Sequence, residues 1–423
     1  MRLSKLLYKS VFWRSMNILS LFILNLFISR YFGADYFGEF FYIINFFSFF
    51  ILAFSLCLEA GLGFYVAKNE VNNSHAALFS IFWSLISSLF IIIILFSFKK
   101  TFLNIDQNIL RIAFYYLAGT FLITFFNALF NAKHYYILPN IITIVLNISL
   151  CFFPLLHSSH KPLFQNYFFV SVFLQGVLMA ISYLIIFKAT LPLQAFNKFV
   201  LLKVLKYSSM SFVANIIFFL VYRVDYWFLN YFSIDAIAFG NYVQVSKLVQ
   251  MFLIIPSIIA TTVFSVTAKG DENLVIKNIP QLSRIIFFSV IVICTILAIV
   301  GKWLFPFIFG ITFTQMYIPF LLYIPGIAAI ATLYSFAAIY SGSNRITTNI
   351  IGSLLALIII VVGNIIFIPI AGINAAAAVS SSGYVLYEVY VLIQFKKEYG
   401  LNLRDCFVLK KTDLKHIVQL LKN

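Results

Sequence analysis

The sequence predicts an all-α polytopic membrane protein with about twelve transmembrane helices, each of the length needed to cross a bilayer. Three observations predict it. The 423 residues are 63% hydrophobic and only 10% charged, whereas a soluble domain is about 45–50% apolar and about 25% charged. The apolar residues form continuous runs, such as Phe90-Ile91-Ile92-Ile93-Ile94-Leu95, rather than the alternating segments of a β-barrel. The basic residues are distributed unevenly about these runs. So few charges cannot cover a water-facing surface, which excludes a soluble enzyme and a disordered chain.

A crossing helix needs about 20 residues. The runs of that length are 12–31, 38–58, 77–98, 110–130, 137–156, 167–187, 207–231, 236–264, 284–304, 316–340, 346–368 and 373–395. The first follows the basic residues Arg2, Lys5 and Lys9 and ends at Arg30-Tyr31-Phe32-Gly33 without a small-residue cleavage site, so it is expected to stay as a helix. The fourth and fifth are separated only by Asn131-Ala132-Lys133-His134. Pro256, Pro319 and Pro325 fall within the eighth and tenth and mark candidate kinks. The small-residue run Ala375 to Gly383 predicts close packing of the last segment.

Orientation follows from Lys and Arg. With the N-terminus inside, the outer side holds only Arg30, Lys99, Lys100, Arg111, Lys161 and Lys302; nearly all the other basic residues fall on the inner side. This bias predicts N-in and C-in. It also accounts for the net charge of +16 without a nucleic-acid partner. Cys57, Cys151, Cys294 and Cys406 have neither metal-site nor disulfide spacing. His157-Ser158-Ser159-His160 lies in a short outer loop with no Cys, Asp or Glu beside it and is read as incidental; no metal or cofactor is expected. All outer loops are short, leaving no room for an extracytoplasmic catalytic domain, so the chain is not expected to be an enzyme.

The expected organisation is a six-helix bundle over 1–188, a basic amphipathic linker over 189–206, a second six-helix bundle over 207–395 and a basic tail over 396–423. The linker carries Lys198, Lys203 and Lys206 and no acid, suiting the anionic inner leaflet and its membrane lipids. The halves echo each other. Tyr31-Phe32, Asp35 and Phe37-Gly38 recur in order as Tyr231-Phe232, Asp235 and Phe239-Gly240, at the same place in each half. Two parallel six-helix repeats related by a pseudo-two-fold axis are the plan of an alternating-access transporter.

Ile28 to Gly38, Leu58-Glu59-Ala60-Gly61-Leu62, Tyr222-Arg223-Val224-Asp225-Tyr226 and Asn364 to Ala376 together resemble the polysaccharide flippases, the Wzx-type branch of the multidrug/oligosaccharidyl-lipid/polysaccharide exporter superfamily. The chain departs from that pattern in Glu59 for the commoner Asp, and in Ala371 and Asn374 for the more usual aromatic residue and Gly. The resemblance covers about residues 10–395. It implies a bacterial inner-membrane flippase that moves an undecaprenyl-pyrophosphate-linked oligosaccharide, an O-antigen or other surface-polysaccharide repeat unit, from the cytoplasmic to the outer leaflet. It implies polysaccharide polymerase and chain-length proteins as partners.

Such a cargo needs cations at mid-depth. Arg223 lies about eight residues from the outer end of the seventh run and Lys247 about eleven residues into the eighth, depths that differ by about 4–5 Å. Both are read as pyrophosphate ligands, Arg by its fork and Lys as a point charge. The alternatives are that Arg223 pairs with Asp225 and that Lys247 snorkels. Arg14 and Arg30 bracket the first run and are read as receiving and releasing the anion, or as interfacial anchors. No Gly-x4-Gly-Lys-Ser/Thr loop occurs, so energy must come from elsewhere than P-loop ATP hydrolysis. Asp225, Glu388 and Glu59 are intramembrane carboxylates suited to coupling transport to H+ or Na+, or else to static ion pairs. The rival functions are a cation-coupled multidrug antiporter, which an acid-dominated cavity would favour, and a lipid II flippase, a branch that usually has fourteen spans.

Overall fold

The computed structural model describes residues 3–97, 107–156, 161–190, 198–268, 270, 272–400, 403–408, 410 and 413. His157 and His160 lie outside them. The described residues form helices: α1 (Leu3–Ser55), α2 (Leu58–Ala67), α3 (Asn73–Ser97), α4 (Gln107–Ala132), α5 (Ile137–Leu156), α6 (Lys161–Ile186), α7 (Lys198–Tyr231), α8 (Ala236–Phe252), α9 (Ile254–Ala268), α10 (Glu272–Phe309), α11 (Tyr317–Gly342) and α12 (Ile346–Tyr399), with short 3-10 turns at Thr314–Met316 and Leu403–Cys406. Among them, eight are long and apolar enough to cross a membrane, or nine if the bent pair α8 and α9 is one span.

Two of these are too long for one crossing. A continuous helix over Ile346–Tyr399 would run about 80 Å, against a hydrocarbon core of about 30 Å. Each long element is interrupted by one glycine in a conformation that L side chains rarely adopt: Gly33 (φ 79°, ψ 176°) in α1 and Gly372 (φ 54°, ψ −131°) in α12. Both breaks fall where the sequence analysis put an outer connection. In α12 the two sides of Gly372 fold back on each other. A Cβ at Gly363 would meet Val379 at 2.7 Å, one at Gly383 would meet Ile360 at 2.6 Å, and one at Gly352 would meet Tyr387 at 2.4 Å. That register is antiparallel, and the glycines allow it by removing the side chains that would hold the backbones apart.

Several boundaries differ from the sequence reading. The second run ends at Ser55, because Leu56 and Cys57 take left-handed φ values of 50° and 54°. The chain restarts as the short α2, with Glu59 in its first turn. The described part of the linker, 198–206, is the beginning of α7 and not a separate element. Of the three prolines, Pro256 accompanies a real bend, 40° between α8 and α9. It has no N–H for the carbonyl of Phe252, so the ladder opens there. Pro319 lies in the first turn of α11, where no helical N–H partner is lost, and Pro325 lies within α11.

The chain divides into two compact units, residues 1–32 with 42–216, and residues 33–41 with 217–423. The first has an aromatic core in which Phe47 packs on Tyr116 and Phe169 at 5.9 and 6.0 Å between ring centroids. Its α4 and α6 approach through Gly119 and Gly176. Polar pairs cross it, including the half-buried Asn17 with Asn140 (3.0 Å) and the buried Gln175 with Thr143 (2.6 Å). In the second unit, segment 33–41 packs on the start of α8. The backbone N–H of Ala34 donates to Thr312 (3.0 Å), and Asn241 donates to the carbonyl of Thr312 (2.9 Å). Ala376, Ala377, Ser380 and Ser381 in α12 are buried, and Ser381 accepts from the N–H of Gly326 at 2.8 Å.

Asp405, Phe407 and Asp413 are held against α10. Arg284 donates twice to Asp413, at 2.7 and 3.0 Å, and also to the carbonyl of Asp405, while Phe407 packs on Phe287. The Arg284 guanidinium holds the Asp413 carboxyl below the usual carboxylate range. A carboxyl depressed in the folded state stabilises docking at every pH above its free value, and that contribution disappears as pH falls through the folded value. Docking of Asp405, Phe407 and Asp413 should therefore persist at neutral and mildly acid pH and fail only below about pH 4. Hydrogen exchange of these residues against pH would show this, with Asp413→Asn already released at pH 7.

Candidate functional site

The second half of α7 carries alternating charges on a helix, and helical spacing decides their partners. Residues two apart point to different sides, so Arg223 and Asp225 diverge. Asp225 is buried, 1% exposed. It accepts from the hydroxyl of Tyr242 in α8, from Tyr323 in α11 at 3.5 Å and from Ser380 in α12 at 3.4 Å. Tyr242 and Tyr323 are themselves 2.7 Å apart. A carboxyl in an apolar setting needs such donors, and here three helices supply hydroxyls, while among the described residues no cation lies within ion-pair distance and Arg223 acts on it only from further away.

Arg223, half-buried, turns the other way. Its Nη1 donates to the Tyr226 hydroxyl (3.0 Å) and its Nη2 to Oε1 of Gln250 in α8 (2.8 Å). Both partners are neutral, so the expected alternative of an Arg223–Asp225 pair does not occur. Lys247 sits one turn before Gln250 on α8. Its ammonium lies 3.4 Å from the ring centroid of Phe41 and makes no ion pair among the described residues. Cation–π contact with Phe41 holds it in place of a carboxylate.

Beside Arg223 is a cavity of about 310 Å³. The rings of Phe219, Tyr222 and Tyr334 and the side chains of Leu253 and Ile254 make its apolar walls, and Arg223, Gln250 and Ser257 supply its polar groups. It opens where α8 bends into α9, because Leu253 is the residue at the break. No carboxylate lines it. An arginine with two neutral hydrogen-bond partners has donors to spare, so the cavity suits an anion and repels a cation.

The other expected site residues lie apart from this cavity. Glu388 is buried in α12 and accepts from Thr332 of α11, with no ion pair among the described residues. Glu59, in the first unit, has one carboxylate oxygen buried without a partner. Arg14 is exposed, 3.3 Å from Asn131 and over the ring of Tyr136, as an interfacial anchor would be. Arg30 is exposed. Neither arginine lines the cavity. The sequence reading did not single out Gln250, Tyr242, Tyr323 or Thr332. Gln250, an amide three residues after Lys247 in a run that also holds Asn241 and Gln244, carried the one usable signal. Among the described residues no group of His, Cys, Asp and Glu could hold a metal ion.

No known family profile and no curated protein matches the sequence. Solved structures do. The chain superimposes on the lipid II flippase MurJ in an inward closed conformation with a TM-score of 0.75 and 15% identity, covering 94% of this chain and 89% of that one. It has the fold of these transporters. An inward-facing multidrug resistance MATE family transporter of the MOP superfamily matches at a TM-score of 0.69 and 13% identity, over 90% of this chain and 94% of that one. A Pyrococcus furiosus transporter of the same superfamily, whose binding pocket has reversed polarity, matches at 0.62 and 15% identity, over 91% and 92%. The described residues are thus helices and their connections, and the chain is a multi-pass membrane protein that shares the fold of these transporters.

Proposed function

We propose that the chain is a flippase that moves a polyprenyl-pyrophosphate-linked oligosaccharide, of the undecaprenyl O-antigen type, from the cytoplasmic to the outer leaflet of a bacterial inner membrane by alternating access. The observation that carries this reading is the acid-free cavity bearing Arg223. A pyrophosphate could replace Gln250 as the partner of the guanidinium fork, and Lys247 on the next turn adds a second positive charge. The proposal counts twelve spans, with α1 and α12 contributing two each, α5 one, and α8 with α9 one, in two six-helix bundles with both termini inside. Polysaccharide polymerase and chain-length proteins would act downstream.

The likeness to MurJ favours one second reading, a lipid II flippase. Both cargoes carry the same pyrophosphate and differ in the glycan. A multidrug antiporter for cations fits less well, because any cation entering the cavity would meet Arg223. The deciding experiment reconstitutes the protein in liposomes and follows leaflet exposure of a fluorescent polyprenyl-pyrophosphate-oligosaccharide, lipid II and a cationic dye in parallel. Flipping of either glycolipid without dye export supports the pyrophosphate reading, and the faster glycolipid identifies the cargo. Dye export without lipid flipping contradicts it.

For coupling, Asp225 and Glu388 in the second unit and Glu59 in the first are the candidate H+ or Na+ acceptors. Each is an intramembrane carboxyl with no ion pair within 4 Å among the described residues, although the charge of Arg223 acts on Asp225. Asp225→Asn preserves the shape that Tyr242, Tyr323 and Ser380 surround. It is expected to abolish acceleration of flipping by an imposed gradient while substrate binding stays intact. If the variant keeps its gradient response and merely melts earlier, Asp225 is structural.

A further inference from the structure

Resting on the reading above, we propose that the cavity beside Arg223 is a subsite for one sugar ring, the one bonded to the pyrophosphate. Clefts for small ligands span about 300–1,000 Å³, and this one, at about 310 Å³, admits a single ring and no oligosaccharide. The walls suit a sugar as well. Phe219, Tyr222 and Tyr334 present aromatic surface, and the C–H faces of a pyranose lie well on the electron-rich face of such rings.

The polar groups complete the match. Gln250 lines the cavity and gives its carbonyl oxygen to Arg223; a phosphate that takes its place at the guanidinium releases the amide, which then offers both an N–H donor and a carbonyl acceptor. Ser257 donates its hydrogen to the carbonyl of Ile254 at 2.7 Å, so its oxygen remains as an acceptor. Sugar hydroxyls are both donors and acceptors and can use both. Arg223 stands on the wall of the same cavity. A phosphate bound there places the sugar attached to it inside, and sugars further along the glycan outside. The cavity would therefore read the first sugar and tolerate variation beyond it.

The test measures binding of two probes to the purified protein: a short-chain prenyl pyrophosphate, and the same compound bearing one N-acetylhexosamine. The sugar-bearing probe should bind about tenfold or more tighter, the scale on which a site rejects a ligand that leaves its contacts unfilled. Tyr222→Ala, Tyr334→Ala and Gln250→Leu should each reduce that preference, and the double Tyr variant should erase it. A trisaccharide probe should bind within about twofold of the monosaccharide probe, because only the first ring enters. If the wild type binds both probes equally, the subsite is wrong and the flippase reading stands. If it binds neither, the flippase reading itself fails. Preference that survives in the double Tyr variant overturns the subsite. Should the alanine variants not fold, Ser257→Leu, which fills the cavity, must erase the preference or the proposal falls.

Discussion

Arg223→Ala is expected to slow flipping of a pyrophosphate-linked glycolipid about a hundredfold, the cost of two lost charge-assisted hydrogen bonds at about 1.5 kcal/mol each. The reason lies in the guanidinium's present partners. Tyr226 and Gln250 are neutral and hold the fork without neutralising it, so its charge is available to an anion. Arg223→Lys keeps the charge and loses the planar fork, and should retain part of the activity. Lys247→Ala should have the smaller effect, since Lys247 already has a partner in Phe41. These variants are compared in the liposome flipping assay at matched protein density, with thermal unfolding as the control for folding. Equal rates for Arg223→Ala and wild type would remove the basis for placing the anion at this cavity.

Gly240→Val should be the most damaging substitution for the fold. A Cβ at Gly240 would stand 1.7 Å from the carbonyl oxygen of Ala34, and one at Gly38 would stand 2.8 Å from Gly240. The obstruction is backbone and cannot rotate away. Overpacking in a core costs about 1–3 kcal/mol where side chains can adjust, and here segment 33–41 must leave the start of α8. The expected outcome is loss of monodisperse protein or a large drop in melting temperature. Gly63→Ala, whose Cβ would approach the carbonyl oxygen of Ala128 at 3.3 Å, should be far milder. Equal melting temperatures for the two variants would contradict the packing described. These glycines also occupy matching places in the Tyr-Phe, Asp, Phe-Gly repeat, so the repeated motif meets itself in the second unit.

The helical class was readable because hydrocarbon imposes it: apolar runs of spanning length have few other solutions. Gly33 and Gly372 were readable as breaks because a polar or small-residue gap falls where the length of one crossing is used up. The break at Leu56 and Cys57 was not, since both residues are apolar and only their left-handed φ values reveal it. Arg223, Lys247 and Asp225 stood out as charges within apolar runs. Their partners did not. Asp225 is satisfied by hydroxyls from three helices, and Lys247 by an aromatic ring in α1. Tyr and Phe are so common here that no single one marks itself out, and only packing assigns Phe219, Tyr222 and Tyr334 to a cavity wall. The Arg223–Asp225 pair suggested by proximity in sequence fails for the same reason: helical geometry separates neighbours and joins distant residues.

The most direct test is a cryo-electron-microscopy structure of the protein bound to a prenyl-pyrophosphoryl sugar. The account predicts phosphate density within hydrogen-bonding distance of the Arg223 guanidinium, displacement of the Gln250 carbonyl from it, and a sugar ring against Tyr222 and Tyr334. Phosphates bound in the first unit, with Arg223 still joined to Gln250 and the cavity empty, would contradict it.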